Sequence, residues 1–167
     1  MPTLILIGPP GAGKSAIGKA LAKILNTNFT DTDDVVSLNY GKKISEIFVD
    51  MGEDFFRDLE FTALEQSLSL AEGVLSLGGG APIPTRSQEL LRESKAPIFF
   101  LDVSLAVAAP RIGFNRDRPL LLGNPRAQWQ ALLETRRPIY ESISTHTIKV
   151  DGMSIEEIAL HIKELLK

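Results

Sequence analysis

The chain has 167 residues, of which 44% are hydrophobic and 23% charged, and none is cysteine. This length predicts one domain, 1–167, whose core needs neither disulfides nor thiolate-bound metal. The net charge of −3 does not favour nucleic acid as a partner, and no apolar run approaches the ~18 residues of a membrane span. Because the first apolar run begins almost at Met1, we expect no targeting segment and a cytoplasmic location.

Short apolar runs alternate with longer amphipathic ones along the chain. Five runs have the character of buried strands, at 3–7, 28–30, 73–77, 97–101 and 146–150. Helical patterns cover 16–25, a stretch ending near 38, a short helix capped by Ser45, 53–69, 85–93, 104 to about 109, 126 to about 142, and a last helix capped by Ser154. The alternation predicts an α/β fold in which helices cover both faces of a five-stranded parallel sheet.

A glycine-rich motif joins the first predicted strand to the first predicted helix. Residues 8–15 match G-x-x-x-x-G-K-[ST], whose backbone N–H groups cradle phosphates. Lys14 is a point charge suited to β- and γ-phosphates, and the Ser15 hydroxyl is the usual Mg²⁺ ligand of such a loop. The motif predicts a nucleoside triphosphate with Mg²⁺, without identifying the phosphate acceptor. The expected nucleotide contacts in this segment are Gly11, Ala12, Gly13, Lys14, Ser15 and Ala16.

Two further motifs follow predicted strands. Asp31 and Asp33 follow the second strand, and Gly78–Gly80 follow the third. Because ligands bind beyond the carboxyl ends of parallel strands, we expect both motifs to share a crevice with the phosphate loop. Residues two apart in extended chain face one side, which would turn both carboxylates toward Mg²⁺; a helix N-cap with an acidic first turn is the alternative. Three adjacent glycines predict a close backbone approach, with a flexible turn as the alternative.

Arginines form the remaining candidates. Arg57 is either a solvated arginine paired with Glu60 three residues on, or a guanidinium that grips a substrate carboxylate, oriented by Glu60 and walled by Phe48 and Phe56. The segment 113–124 combines glycine, proline and arginine, and predicts a mobile lid that closes over the phosphates and excludes water. Arg136 and Arg137 add positive charge.

No partner is evident for three other residues, which we interpret as structural or surface positions: Trp129, His146 and His161.

Together these motifs resemble those of shikimate kinases, in order and over nearly the whole chain. The resemblance is carried by 8–15, 31–33, 47–48, 56–60, 77–81, 118–121 and 136–140. It implies a P-loop fold like that of nucleoside monophosphate kinases, with three α/β/α layers and a mobile lid. It also implies a monomer that transfers the γ-phosphoryl group of ATP to the 3-hydroxyl of shikimate, with Mg²⁺.

The resemblance also implies roles for single residues. Asp33 would hold the accepting hydroxyl and take its proton, and would be catalytic together with Lys14 and Arg118. Asp31 would support the metal bound by Ser15. Arg118 would reach the phosphates from the lid, and Arg111 would pack on adenine. The implied shikimate contacts are Asp33, Arg57, Gly78, Gly79, Gly80 and Arg136, the two arginines gripping the carboxylate.

Two questions stay open at this level. Pro110 predicts that the helix from residue 104 kinks or stops before Arg111, because proline removes a helical hydrogen bond. The main alternative is a different small-molecule kinase, such as gluconate kinase, because the same phosphate loop occurs in kinases that act on many different acceptors. A nucleotide-sensing switch is disfavoured because the chain lacks an Asn-Lys-x-Asp motif.

Overall fold

The computed structural model describes residues 1–112 and 124–167. Its five strands are β1 (Pro2–Ile7), β2 (Phe29–Asp31), β3 (Gly73–Ser76), β4 (Ile98–Asp102) and β5 (His146–Lys149). Its helices are α1 (Lys14–Leu25), α2 (Thr32–Tyr40), α3 (Ile44–Leu70), α4 (Thr85–Glu93), α5 (Leu105–Ile112), α6 (Pro125–Ile143) and α7 (Ile155–Leu165).

The strands form one parallel sheet in the order β2-β3-β1-β4-β5. β1 lies at its centre, where Ile5 is in register with Leu75 of β3 and with Ile98 of β4. The apolar residues from Leu4 to Ile7 are wholly buried, as expected for a strand covered on both faces. The predicted parallel α/β sheet is therefore confirmed.

Helices complete a three-layer α/β/α arrangement. α1 packs against α7, while α6 contacts β4 and α4. α2 and α3 share a small apolar cluster of their own, in which the Phe48 and Phe56 rings lie 4.5 Å apart. α3 is divided by Gly52, whose φ of 85° interrupts the helix, so the predicted division between a short and a longer helix is present. The α2–α3 cluster supports the elements that carry Asp33 and Arg57.

Prolines do not end the helices in which they lie. The helix predicted from 104 was expected to end near residue 109, which is wrong, because α5 continues through Pro110 to Ile112. The only helical acceptor that Pro110 deprives of its donor is the Ala106 carbonyl, and both residues are exposed, so water can satisfy it. α6 likewise continues through Pro138.

One predicted helix cap is confirmed by the structure, and another is wrong. Ser154 forms a capping box with Glu157, whose backbone N–H donates to Ser154 Oγ at 3.1 Å. Ser45 does not cap a helix, because α3 already begins at Ile44, after Lys43. A serine can thus lie inside the first turn, and not at the cap, when the chain enters the helix two residues earlier.

Some expectations stay predictions at this stage. The lid assigned to 113–124 falls almost wholly on residues 113–123, which lie outside the described residues, and the assignment of 1–167 as one domain remains an expectation. Among the described residues, no helix combines the length and apolarity needed to cross a membrane.

Candidate active site

The phosphate loop joins β1 to α1. Gly11 and Gly13 have φ values of 82° and 91°, in the left-handed region that favours glycine. Gly13 occupies the N-cap position of α1, where no side chain caps the helix. The first N–H groups of α1 therefore remain available to an anion, at the positive end of the helix dipole.

Four consecutive carbonyls of this loop accept hydrogen bonds from within the protein. Lys14 Nζ donates to the Gly8 and Pro9 carbonyls at 2.7 and 3.0 Å. Trp129 Nε1 donates to the Pro10 carbonyl at 2.8 Å, and Arg111 Nη1 to the Gly11 carbonyl at 3.1 Å. The loop is thus held by side chains of α1, α5 and α6.

Asp31 connects the end of β2 to the start of α1. Its Oδ2 accepts from Ser15 Oγ at 3.0 Å, while Oδ1 accepts from the Asp33 N–H at 2.9 Å and caps α2. Burial raises the pKa of Asp31, and the nearby charge of Asp33 raises it further. From sequence, a helix N-cap and a carboxylate near the metal site were alternatives. Asp31 combines both, because it caps α2 and lies beside Ser15.

Asp33 reaches the crevice by a different route from the one expected. It lies in the first turn of α2, so the argument from an extended segment was wrong. Both aspartates nevertheless line the same crevice of about 270 Å³, which confirms the predicted convergence of the motifs. The residues that line it are Pro10, Gly11, Gly13, Lys14, Ser15, Ala16, Asp31, Asp33, Leu77, Gly78, Gly79, Arg111 and Ile112.

Gly78–Gly80, here called the glycine floor, are closely covered by charged side chains. A Cβ on Gly78 would lie 2.6 Å from Asp33 Oδ1, and one on Gly79 would lie 3.3 Å from Arg136 Nη1. A Cβ on Gly80 would collide with the guanidinium group of Arg57. The predicted close approach is confirmed: a side chain on Gly78 or Gly80 would displace Asp33 or Arg57, and one on Gly79 would press on Arg136.

The floor is anchored on both sides rather than being a flexible turn. Thr32 Oγ1 accepts from the Gly78 N–H at 2.9 Å, and Tyr140 Oη donates to the Gly79 carbonyl at 2.6 Å. Burial raises the pKa of Tyr140 to about 12, so its hydroxyl keeps its proton and remains a donor near neutral pH.

Arg57 and Arg136 bring two guanidinium groups to adjacent glycines. Arg57 Nη1 pairs with Glu60 at 2.6 Å, and Glu60 is only 2% exposed. A second, weaker contact joins Arg57 Nη2 to Glu53 at 3.4 Å. Arg136 is 8% exposed on the inner face of α6. Arg57 is therefore oriented toward the floor by a buried carboxylate, which excludes a purely solvated pair.

Sequence reasoning missed three supporting residues. The statement that Trp129 has no evident partner is wrong, since it bonds to the phosphate loop and is 1% exposed. Tyr140 lies one helical turn after Arg136, a spacing that could have marked it as a neighbour of the site. Thr32 carried no signal, because its role depends on the approach of β3. His146 stacks on Phe99 and His161 is exposed, in keeping with structural or surface roles.

The donor set beside Ser15 suits a magnesium ion. Mg²⁺ usually takes one or two protein ligands and completes its shell with water and substrate phosphates. Ser15 Oγ and Asp31 Oδ2 supply a hydroxyl and a carboxylate at the rim of the crevice. Within 1–112 and 124–167, no cluster of three or more His, Cys, Asp or Glu offers an all-protein metal cage. The hydroxyl and carboxylate present therefore fit a Mg²⁺ ion whose remaining ligands are water and phosphate oxygens. Arg116 and Arg118 lie outside the described residues.

Comparison with known proteins identifies the family. The sequence model described as Shikimate kinase matches residues 10–167. The chain belongs to the shikimate kinase family. A shikimate kinase of Salinispora arenicola is 44% identical over 165 residues, covering 99% of this chain and 98% of that protein.

Solved structures agree with the family. A shikimate kinase from Acinetobacter baumannii in complex with shikimate has a TM-score of 0.94 and 31% identity, over 99% of this chain and 93% of that one. A gluconokinase from Sinorhizobium meliloti has a TM-score of 0.63 and 22% identity, over 98% of this chain and 90% of that one. At this level of identity the gluconokinase shares only the fold with this chain. The crevice is therefore interpreted by comparison with shikimate kinases.

Proposed function

We propose that this chain transfers the γ-phosphoryl group of ATP to the 3-hydroxyl of shikimate, giving shikimate 3-phosphate and ADP. The observation in this structure that carries phosphoryl transfer to an acidic alcohol is the arrangement around the glycine floor. Asp33, Arg57 and Arg136 each lie against a different one of the three glycines, beside the phosphate loop. Family membership and this arrangement support the same substrate pair.

The charges around the floor suit an acidic alcohol. The guanidinium groups of Arg57 and Arg136 can grip a carboxylate through charge-assisted hydrogen bonds, while Asp33 accepts a bond from the hydroxyl at the other end. In the transfer, the hydroxyl oxygen forms a bond to the γ-phosphorus and the bond to the β,γ-bridging oxygen breaks. Asp33 takes the hydroxyl proton. Holding both groups in line supplies most of the catalysis that this chemistry requires.

The phosphate side uses the loop and its cation. Lys14, now bonded to the Gly8 and Pro9 carbonyls, would turn to the β- and γ-phosphates when nucleotide binds. Ser15 and Asp31 would hold Mg²⁺, which supplies positive charge to the phosphates. Ser15 would ligate directly and Asp31 through water. Arg111, beside Gly11, would pack on adenine, and Arg118 would reach the phosphates from the lid.

Gluconate is the principal alternative acceptor. Because gluconate also carries a carboxylate, the paired arginines alone do not distinguish it, and the argument for shikimate rests on the family to which the chain belongs. No contact in the described part of the chain favours gluconate. The monomeric state and the cytoplasmic location stay predictions from the sequence.

Substitutions of Asp33 and Arg57 test the proposal. We expect Asp33→Ala to lower kcat with shikimate by about 100- to 10,000-fold and to leave ADP affinity nearly unchanged. Arg57→Ala should raise the KM for shikimate by about 10- to 100-fold, because a charge-assisted contact is lost. Asp34→Ala is the matched control, since Asp34 is an exposed acid in the same helical turn. Unchanged shikimate affinity in Arg57→Ala would overturn the carboxylate assignment.

A further inference from the structure

One face of α6 contacts both the phosphate loop and the glycine floor of the candidate site. Trp129, Arg136 and Tyr140 lie seven and four residues apart, which places them along a single helix face. They are 1%, 8% and 0% exposed. The mechanism above uses Arg136 alone, leaving two buried polar aromatic groups on the same face to be explained.

Trp129 acts on the phosphate loop through one carbonyl. Its indole N–H donates to the Pro10 carbonyl at 2.8 Å. In a trans peptide the carbonyl and the following N–H point in opposite directions, so this bond turns the Gly11 N–H away from Trp129. The Gly11 N–H belongs to the loop that receives phosphate. The indole thereby fixes the orientation of one phosphate-binding peptide.

Tyr140 acts on the glycine floor in the same way. Its hydroxyl donates to the Gly79 carbonyl at 2.6 Å and turns the Gly80 N–H away from α6. The Phe100 ring lies 5.1 Å from the Tyr140 ring, so packing restricts the phenol as well. A buried donor with a fixed ring gives the floor one preferred peptide orientation.

The two anchored carbonyls belong to residues that lie close to each other. A Cβ on Gly79 would lie 3.3 Å from Pro10 Cδ and 3.6 Å from the Gly8 carbonyl oxygen. Pro10 and Gly79 therefore mark the junction between the phosphate loop and the floor. α6 spans this junction over about three helical turns, or ~16 Å.

We propose that Trp129 and Tyr140 are positioning residues, through which α6 holds the phosphate loop and the acceptor floor in register by way of the Pro10 and Gly79 carbonyls. The proposal rests on the proposed function for the acceptor half and is independent of it for the nucleotide half. It assigns each aromatic residue to one substrate, which a general packing role would not do.

Two conservative variants separate the assignments. Trp129→Phe and Tyr140→Phe each remove a hydrogen-bond donor while keeping an aromatic ring. Calorimetric titration with ADP and with shikimate gives each affinity without turnover, and steady-state kinetics gives KM and kcat. We expect Trp129→Phe to weaken ADP binding about fivefold or more and to change shikimate affinity less than twofold. Tyr140→Phe should raise the KM for shikimate about fivefold or more and spare ADP.

Tyr40→Phe is the matched control. Tyr40 makes an edge contact with Phe55 in the α2–α3 cluster, so its hydroxyl should affect neither ligand. If Trp129→Phe fails to fold, replacing Trp129 with a benzothiophene analogue keeps the shape and deletes only the N–H. Thermal unfolding of every variant measures the stability change separately from the affinities.

Each outcome decides the proposal. Selective loss of one ligand in each variant supports it. Variants that lose stability but keep both affinities, or that weaken both ligands equally, would overturn it in favour of simple packing. If the wild-type chain binds ADP but neither binds nor phosphorylates shikimate, the proposed function fails, while the Trp129 arm still tests the nucleotide half.

Discussion

Ser15 Oγ donates a hydrogen bond to Asp31 Oδ2 over 3.0 Å, which joins the first turn of α1 to the carboxyl end of β2. The other oxygen of Asp31 caps α2. Each oxygen of the Asp31 carboxylate thus accepts a hydrogen bond. The group is also partly desolvated and lies close to the charge of Asp33. A negative charge at this position disfavours the folded apoprotein, and we expect phosphate-bound Mg²⁺ to compensate it.

Asp31→Asn should relieve this cost in the absence of ligands. Because burial and Asp33 raise the pKa of Asp31 above 3.8 in the folded protein, wild-type stability should fall as pH rises from 3.8 through the folded pKa. Asn keeps the cap acceptor. At pH 7 the variant should therefore be at least as stable as wild type, and the difference should shrink toward pH 4. Urea unfolding between pH 4 and 8 measures it.

Asp34→Asn is a graded comparison for this pH series and should change it much less, because Asp34 is exposed in the same turn and its charge is the smallest of the causes that raise the pKa of Asp31. The same Asp31→Asn protein should lose the extra thermal stability that Mg²⁺ adds to the ADP complex. If Asp31→Asn were less stable than wild type at pH 7 and equal to it at pH 4, the Asp31 charge would be stabilising and not a cost to the folded protein.

Glu60→Gln should weaken shikimate binding far more than Glu53→Gln. Glu60 is buried and lies 2.6 Å from Arg57, whereas Glu53 is half-exposed and lies 3.4 Å away. Loss of the buried carboxylate removes the group that orients Arg57, but an exposed pair contributes little. We expect the KM for shikimate to rise about tenfold or more in Glu60→Gln and less than twofold in Glu53→Gln. Equal effects of the two substitutions on KM would show that Glu60 does not orient Arg57 for shikimate binding.

Alanine substitutions in the glycine floor should give distinct kinetic defects. In Gly80→Ala the new Cβ displaces the Arg57 guanidinium group, so the KM for shikimate should rise at least tenfold. In Gly78→Ala the Cβ meets Asp33, so the main loss should be in kcat. Steady-state kinetics with shikimate as the varied substrate separates the two patterns. Wild-type constants in both variants would show that the floor tolerates side chains.

The fluorescence of Trp129 should report nucleotide binding. The chain has one tryptophan, and its indole N–H bonds to the phosphate loop. We expect ADP with Mg²⁺ to change the emission with the same Kd that calorimetry gives, and shikimate alone to leave it nearly unchanged. An emission that stays constant at saturating ADP would count against a nucleotide-responsive contact at Pro10.

Local patterns were enough to predict the sheet and the meeting of the motifs at one crevice. Strand, glycine loop and helix appear in sequence order around Lys14, and parallel strands bring their carboxyl ends to one edge, so the convergence of Asp31 and Gly78–Gly80 followed from topology. The buried pairing of Arg57 with Glu60 was one of two interpretations, since a spacing of three residues is equally typical of a solvated helix surface.

Long-range contacts could not be predicted in this way. The bond from Trp129 to Pro10 joins residues 119 positions apart, and nothing near Trp129 in the sequence marks it. The helical position of Asp33 depends on the cap that Asp31 provides, and the continuation of α5 past Pro110 depends on which side of the helix faces water. The Trp129 bond and the continuation of α5 are decided by tertiary packing, whereas the Asp31 cap is a local contact that the sequence offered as one of two alternatives.

The most direct measurement of the central claim is a comparison of acceptors. The purified chain is incubated with ATP and Mg²⁺ and either shikimate, gluconate or a nucleoside monophosphate, and the products are identified by mass spectrometry and ³¹P NMR. We expect ADP and shikimate 3-phosphate, with little turnover of the other acceptors. Preferential phosphorylation of gluconate, or no phosphorylated shikimate while ADP still binds, would contradict this expectation.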